Sequence, residues 1–137
     1  MSHVEYVLYD LLDAAGVRLV ETRKLPDHLN ACFHQSSRTI YVSTVIDSAT
    51  RVSAIAHELG HAYFDHDCST SRAEREADEW AAMHLLDARM VETVAKECDF
   101  APSLIASELG VTPHLLNTWM RLYHAGRINS YTSCATS

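Results

Sequence analysis

The chain has 137 residues, 47% of them hydrophobic and 21% charged, ordinary values for a globular protein with its own buried core. Its 11 basic against 18 acidic residues leave a net charge of −7, which argues against nucleic acid as the main partner, since such binders present a basic face. No apolar run reaches membrane length.

The N-terminus, Met1-Ser2-His3-Val4-Glu5-Tyr6, has no basic region and no long apolar stretch, which argues against a secretory signal. From His3 to Ala15 the apolar positions Val4, Val7, Leu8, Leu11, Leu12 and Ala15 recur at helical spacing. Gly16 is suited to end that helix in a left-handed conformation. A short strand is predicted over Val17 to Thr22, and Pro26-Asp27 marks a turn. Two more strands are predicted over Asn30 to Gln35 and over Thr39 to Thr44. The second is a β-branched and aromatic run, and the polar Gln35-Ser36-Ser37-Arg38 between them reads as a hairpin turn.

Asp47 and Ser48 are good N-cap residues. Beyond them Val52, Ile55, Ala56, Leu59, Ala62 and Tyr63 follow helical spacing from Ala49 to Tyr63. After the polar stretch from Asp65, Ser71 with Glu74 fits a capping box, opening a second helix from Arg72 to Leu86. A short helix over Val91 to Cys98 follows, then one opened by Pro102, ended by Gly110, and another opened by Thr112-Pro113. Residues 102–123 resemble a helix-turn-helix. The second helix carries only His114, Asn117 and Arg121 as possible base readers, so this unit reads as packing that closes the fold. The small polar run from Asn129 to Ser137 reads as a loose tail. One domain over residues 1–128 is expected.

The chemistry concentrates in Ala56-His57-Glu58-Leu59-Gly60-His61, a His-Glu-x-x-His pattern. Residues four apart on a helix differ by about 40° around its axis. His57 and His61 thus point the same way and can share one tetrahedral zinc. Glu58 is placed to hold a water beside the metal and take its proton. Gly60 costs roughly 1 kcal/mol in a helix interior, which suggests that another element packs closely there.

A third ligand is needed. An extension ending in a third histidine fails, because Phe64 stands where that extension turns at Gly and Asp67 where it ends in His. His66, one residue out of register, reads as a loop histidine. The run Glu74-Arg75-Glu76-Ala77-Asp78 offers acids instead. Glu74 and Asp78 share a face and suit one ligand plus one carboxylate that orients a ligand histidine. Glu76 lies about 160° round the helix from Glu74. The competing reading is an acidic solvated face paired with Arg72 and Arg75.

Cys32, Cys68, Cys98 and Cys134 form no C-x-x-C pair, so neither a zinc finger nor a redox pair is indicated. Without an export signal they read as reduced thiols in the cytoplasm, and Cys68, near the motif, as an incidental one.

The His57-Glu58-x-x-His61 segment, with Glu74-x-Glu76-Ala77-Asp78-x-Trp80-Ala81-Ala82-x-x-Leu85-Leu86 and the upstream Thr39-Ile40-Tyr41-Val42-Ser43, resembles the ImmA/IrrE family of small metallopeptidases over roughly residues 5 to 123. The resemblance implies an α+β fold of zincin-like, minimal gluzincin type, with a small antiparallel sheet, an active-site helix and a helical C-terminal half. It implies His57, His61 and Glu74 (not Glu76) as ligands of one zinc ion, Glu58 as general base, and Asp78 where the family often has Asn or Asp. It further implies a cytoplasmic bacterial or phage protein that cleaves a helix-turn-helix repressor. The chain departs from the family in Asp87-Ala88, where Met-Pro often follows the second helix, and in its shortness.

Tyr41, Tyr63, His84, His114, Tyr123 and His124 are candidates to stabilise an oxyanion, and Tyr63 is expected in the core. The strand Thr39 to Ser43 offers an edge for an extended substrate. The alternative to a peptidase is a regulatory module in which zinc is structural and the chain binds a repressor or DNA.

Overall fold

The computed structural model of the chain describes residues 2–66 and 69–128; Cys68 and the predicted tail lie outside them. The first helix, α1 (His3–Ala15), begins at a capping box between Ser2 and Glu5 and ends at Gly16 with φ 66°. It buries Val4, Leu8 and Leu12. Three strands follow, β1 (Arg18–Thr22), β2 (Ala31–His34) and β3 (Thr39–Ser43).

The sheet order is β1-β3-β2. The predicted hairpin is present: β2 runs antiparallel to β3, with Phe33 opposite Ile40. The sheet is nevertheless mixed and not wholly antiparallel, because β1 joins β3 in parallel, Val20 opposite Tyr41. The segment after β1 carries the chain to the far edge of the sheet, where β2 turns back against β3. β3 is therefore the central strand, with Ile40 and Val42 fully buried, and it offers no edge to a substrate. The edges are β1 and β2.

Asp47 caps α2 (Ser48–Phe64), accepting from the Thr50 amide at 2.8 Å. α2 ends at Asp65, whose φ of 57° is left-handed. The cap of α3 (Ser71–Leu85) falls one residue before the expected one. Thr70, not Ser71, accepts from the Ala73 amide. Glu74 is thus released from the capping role and is free to face α2.

α2 and α3 cross in close contact. A Cβ added at Gly60 would lie 2.7 Å from the Ala77 carbonyl oxygen and 2.8 Å from its Cα. This is the close packing expected at Gly60, since any larger residue would push α3 away. His57 and His61 stand three before and one after Gly60; Glu74 and Asp78 stand at the same offsets from Ala77. One backbone contact thereby sets the two pairs opposite each other.

The C-terminal half holds α4 (Ala88–Glu97), α5 (Pro102–Leu109) and α6 (Pro113–His124). α6 buries Leu115, Leu116, Trp119 and Leu122. Trp119 Nε1 donates to the Leu86 carbonyl at 3.2 Å, and the Thr112 amide donates to Ser53 Oγ at 3.1 Å. The α5-α6 unit is accordingly built into the core with α1, β3, α2 and α3. Tyr63 departs from expectation: it is 66% exposed and packs its ring beside Trp80. Among the described residues no helix is long and apolar enough to cross a membrane.

Candidate metal centre

His57 Nε2 and His61 Nε2 lie 3.2 Å apart on the inner face of α2. Glu74 reaches both from α3, with Oε1 3.0 Å from His57 Nε2 and Oε2 2.8 Å from His61 Nε2. Four ligands about 2.0–2.1 Å from a zinc ion stand roughly 3.3 Å from one another. The three donors are already close to that spacing. His57, Glu58 and His61 also form a cluster with ligand atoms within 4.8 Å of one another. The tighter contacts of Glu74 make it the better third donor, and leave Glu58 beside the group.

The proton inventory points the same way. His57 Nδ1 lies 2.6 Å from Asp78 Oδ1, a group that only accepts when ionised. His57 Nδ1 therefore carries a hydrogen. In a neutral ring its Nε2 is then a bare lone pair facing a second imidazole and a carboxylate. Such a convergence of acceptors calls for a cation. Without a metal, that demand falls on His57 itself. Burial opposes its charge, but the Asp78 hydrogen bond and the charges of Asp78 and Glu58 raise its pKa to about 9. Burial, together with the charge of His57, holds His61 below the usual range although Glu74 opposes this. Glu74 and Asp78 are both held low: burial raises them, and their hydrogen-bond partners outweigh it, Ser69 and His57 for Glu74 and His57 and His114 for Asp78.

Glu58 is pushed up to about 7, chiefly by burial, with Glu74 adding to the rise and His57 and the Phe33 amide opposing it. It stands where two clefts meet. One, of about 350 Å³, is lined by Cys32, Phe33, His61 and Glu74. The other, of about 260 Å³, is lined by His57, Asp78 and His114. Leu29, Ala31 and Glu58 belong to both, so the two clefts adjoin beside β2 and the cluster. A larger cavity, about 780 Å³, lies elsewhere, among α4, α5 and α6 with Phe100 and Trp119 in its wall. It has one carboxylate, Glu92, and one imidazole, His124, among its lining residues, and the chemistry sits at the smaller clefts.

All five residues expected at the site are brought together. Two further histidines join them. His114 Nε2 lies 2.9 Å from Asp78 Oδ2, so Asp78 bridges His57 and the start of α6. His66 lies against His61, with their Nδ1 atoms 2.9 Å apart. Neither contact was legible locally: each depends on a chain reversal or on packing between distant elements. Of the oxyanion candidates, His114 is beside the site. Tyr63 and His84 pack with Trp80, and Tyr123 stacks on Trp119 in the α4-α6 region.

The fold and the cluster together define an α+β domain with a possible metal site on its central helix pair. The chain matches the IrrE N-terminal-like domain family, Peptidase_M78, over residues 12–118. It belongs to that family. A solved structure, a Mycobacterium tuberculosis transcriptional regulator, shares the fold with a TM-score of 0.63 at 18% identity. The match covers 85% of this chain and 39% of that one, so the chain spans about two fifths of the regulator's length. No curated protein matches the chain.

Proposed function

We propose that residues 1–128 form one metallopeptidase domain that holds one zinc ion through His57, His61 and Glu74 and hydrolyses peptide bonds. The observation that carries this reading is the convergence of three acceptor groups, within 3.2 Å of one another, at the meeting point of two clefts beside Glu58. Three protein ligands with an open side is the arrangement of catalytic zinc, whereas structural zinc is closed by four.

When bound, zinc supplies Lewis acidity to a carbonyl and lowers the pKa of water. Glu58 is the general base: it takes the proton of the attacking water and returns it to the leaving amine. Asp78 holds the His57 ring through Nδ1. β2, the edge strand whose Ala31, Cys32 and Phe33 line one of the clefts, offers backbone groups to an extended peptide, a role expected of β3 and transferred by the strand order. Family membership supports a protein substrate, and we assign a helix-turn-helix repressor of a phage, mobile element or stress response, cleaved in the cytoplasm. The burial of the α6 apolar face and the acidic charge favour a protein partner over direct nucleic-acid binding.

The test is incubation of the zinc-loaded chain with helix-turn-helix repressors encoded beside it. Glu58→Gln should bind zinc normally and cleave at least about 10²-fold more slowly. Undiminished cleavage by that variant would overturn the mechanism.

A further inference from the structure

One pair of titratable side chains beside the centre has no part in the scheme above. His66 Nε2 lies 3.1 Å from Glu76 Oε1, and His66 Nδ1 lies 2.9 Å from His61 Nδ1. The His66 ring is 14% exposed although it belongs to a loop. Several contacts turn it inward. The chain reverses at Asp65, and the His66 amide donates to the His61 carbonyl at 3.0 Å. The Gln35 side chain donates to Asp65 Oδ1 at 2.8 Å, fixing the reversal to the β2-β3 turn. Phe64 stacks on the ring, and Arg72 approaches Glu76 from one turn earlier on α3.

The direction of each hydrogen bond follows from the chemistry of the groups. An ionised carboxylate only accepts, so His66 Nε2 carries a hydrogen and donates it to Glu76. In the neutral ring His66 Nδ1 is then an acceptor. Its neighbour, His61 Nδ1, must be the donor. That leaves His61 Nε2 as a bare lone pair, aimed at the point on which His57 Nε2 and Glu74 converge. Starting from Glu76, the chain of two bonds selects the one tautomer of His61 that can ligate through Nε2.

We infer that His66 and Glu76 are positioning residues for His61, doing through a relay what Asp78 does directly for His57. This inference rests on the reading of His57, His61 and Glu74 as zinc ligands. It gives Glu76, the acid off the ligand face, a role in holding the metal without touching it. It also distinguishes the two acids of the Glu74-x-Glu76 run by function: one reaches the centre directly and the other through an imidazole.

The experiment measures zinc affinity of the purified full chain by competition with a chromogenic chelator, alongside the melting temperature of the metal-free protein. His66→Ala should weaken zinc binding by about 10- to 100-fold, the usual effect of removing a partner of a ligand histidine. Glu76→Ala should weaken it less, and the double variant should bind no more weakly than His66→Ala, because Glu76 acts only through His66. His66→Gln, whose amide can both accept and donate, should recover part of the loss. A simple tether of loop to helix would lower the metal-free melting temperature and leave affinity within about threefold of wild type; that result, or additive losses in the double variant, overturns the relay. Should the wild-type chain bind no zinc, the reading of the centre falls and takes this inference with it. If wild type binds and Glu74→Ala does not, while His66→Ala binds as wild type, the relay alone is lost.

Discussion

Asp78 shows how much a single carboxylate organises. One oxygen faces His57 Nδ1 and the other faces His114 Nε2. Removing its charge while keeping its shape separates its two tasks. Asp78→Asn is expected to weaken zinc binding by about 10- to 100-fold, measured by chelator competition. His114→Ala should weaken it less, since His114 reaches the centre only through Asp78. Glu74→Ala removes a donor outright and should lower zinc content in metal analysis, whereas Glu76→Ala should keep a full equivalent at saturating zinc. Glu74 and Asp78 were visible in the sequence as a pair on one face, because the offsets from Glu74 to Asp78 and from His57 to His61 are both one helical turn. His66 was not. Its ring is placed by the left-handed Asp65 and by Gln35 from the hairpin turn, and no spacing rule links position 35 to position 65.

At the scale of elements, apolar periodicity placed α1 and α2, and capping, proline, glycine and β-branched signals placed most of the other described elements to within a few residues. What periodicity did not give was the order of strands or the residue that caps α3. Strand order depends on where the segment after β1 crosses the sheet, a long-range choice with no local mark. The cap was misplaced by one residue because Thr70 and Ser71 are both capable, and backbone conformation decides between them: Thr70 is extended, with ψ 161°. Thr70→Ala should therefore lower stability by about 1 kcal/mol, and Ser71→Ala by much less, read from denaturant midpoints at unchanged slope. Gly60→Ala makes a sharper demand. In an ordinary helix interior it would gain about 1 kcal/mol. Here the added methyl meets the Ala77 backbone, so the variant should instead lose about 1–3 kcal/mol. It should also bind zinc more weakly with every donor intact, because α3 must retreat and take Glu74 with it. A stabilised Gly60→Ala protein with unchanged zinc affinity would show that the two helices part easily.

Across the whole molecule, the centre is assembled from parts far apart in sequence. α2 gives His57 and His61, α3 gives Glu74 and Asp78, and α6 adds His114. α6 in turn is anchored by Trp119 to the Leu86 carbonyl and by the Thr112 amide to Ser53. A ligand that binds only the folded state stabilises it by mass action, by about 2.7 kcal/mol at a hundred times its dissociation constant. Zinc should accordingly raise the melting temperature of the wild-type chain in a concentration-dependent way, a chelator should reverse it, and Glu74→Ala should show a much smaller rise. The bridge from Asp78 to His114 carries this one step further. It places the first turn of α6 within one side chain of His57, at the end of the helix that the Thr112 amide ties to Ser53 on α2. Metal loading should thus be felt as slowed amide hydrogen exchange at the start of α6, more than 50 residues along the chain from His57 and His61. The helix that closes the fold would serve as a gauge of whether the centre is filled.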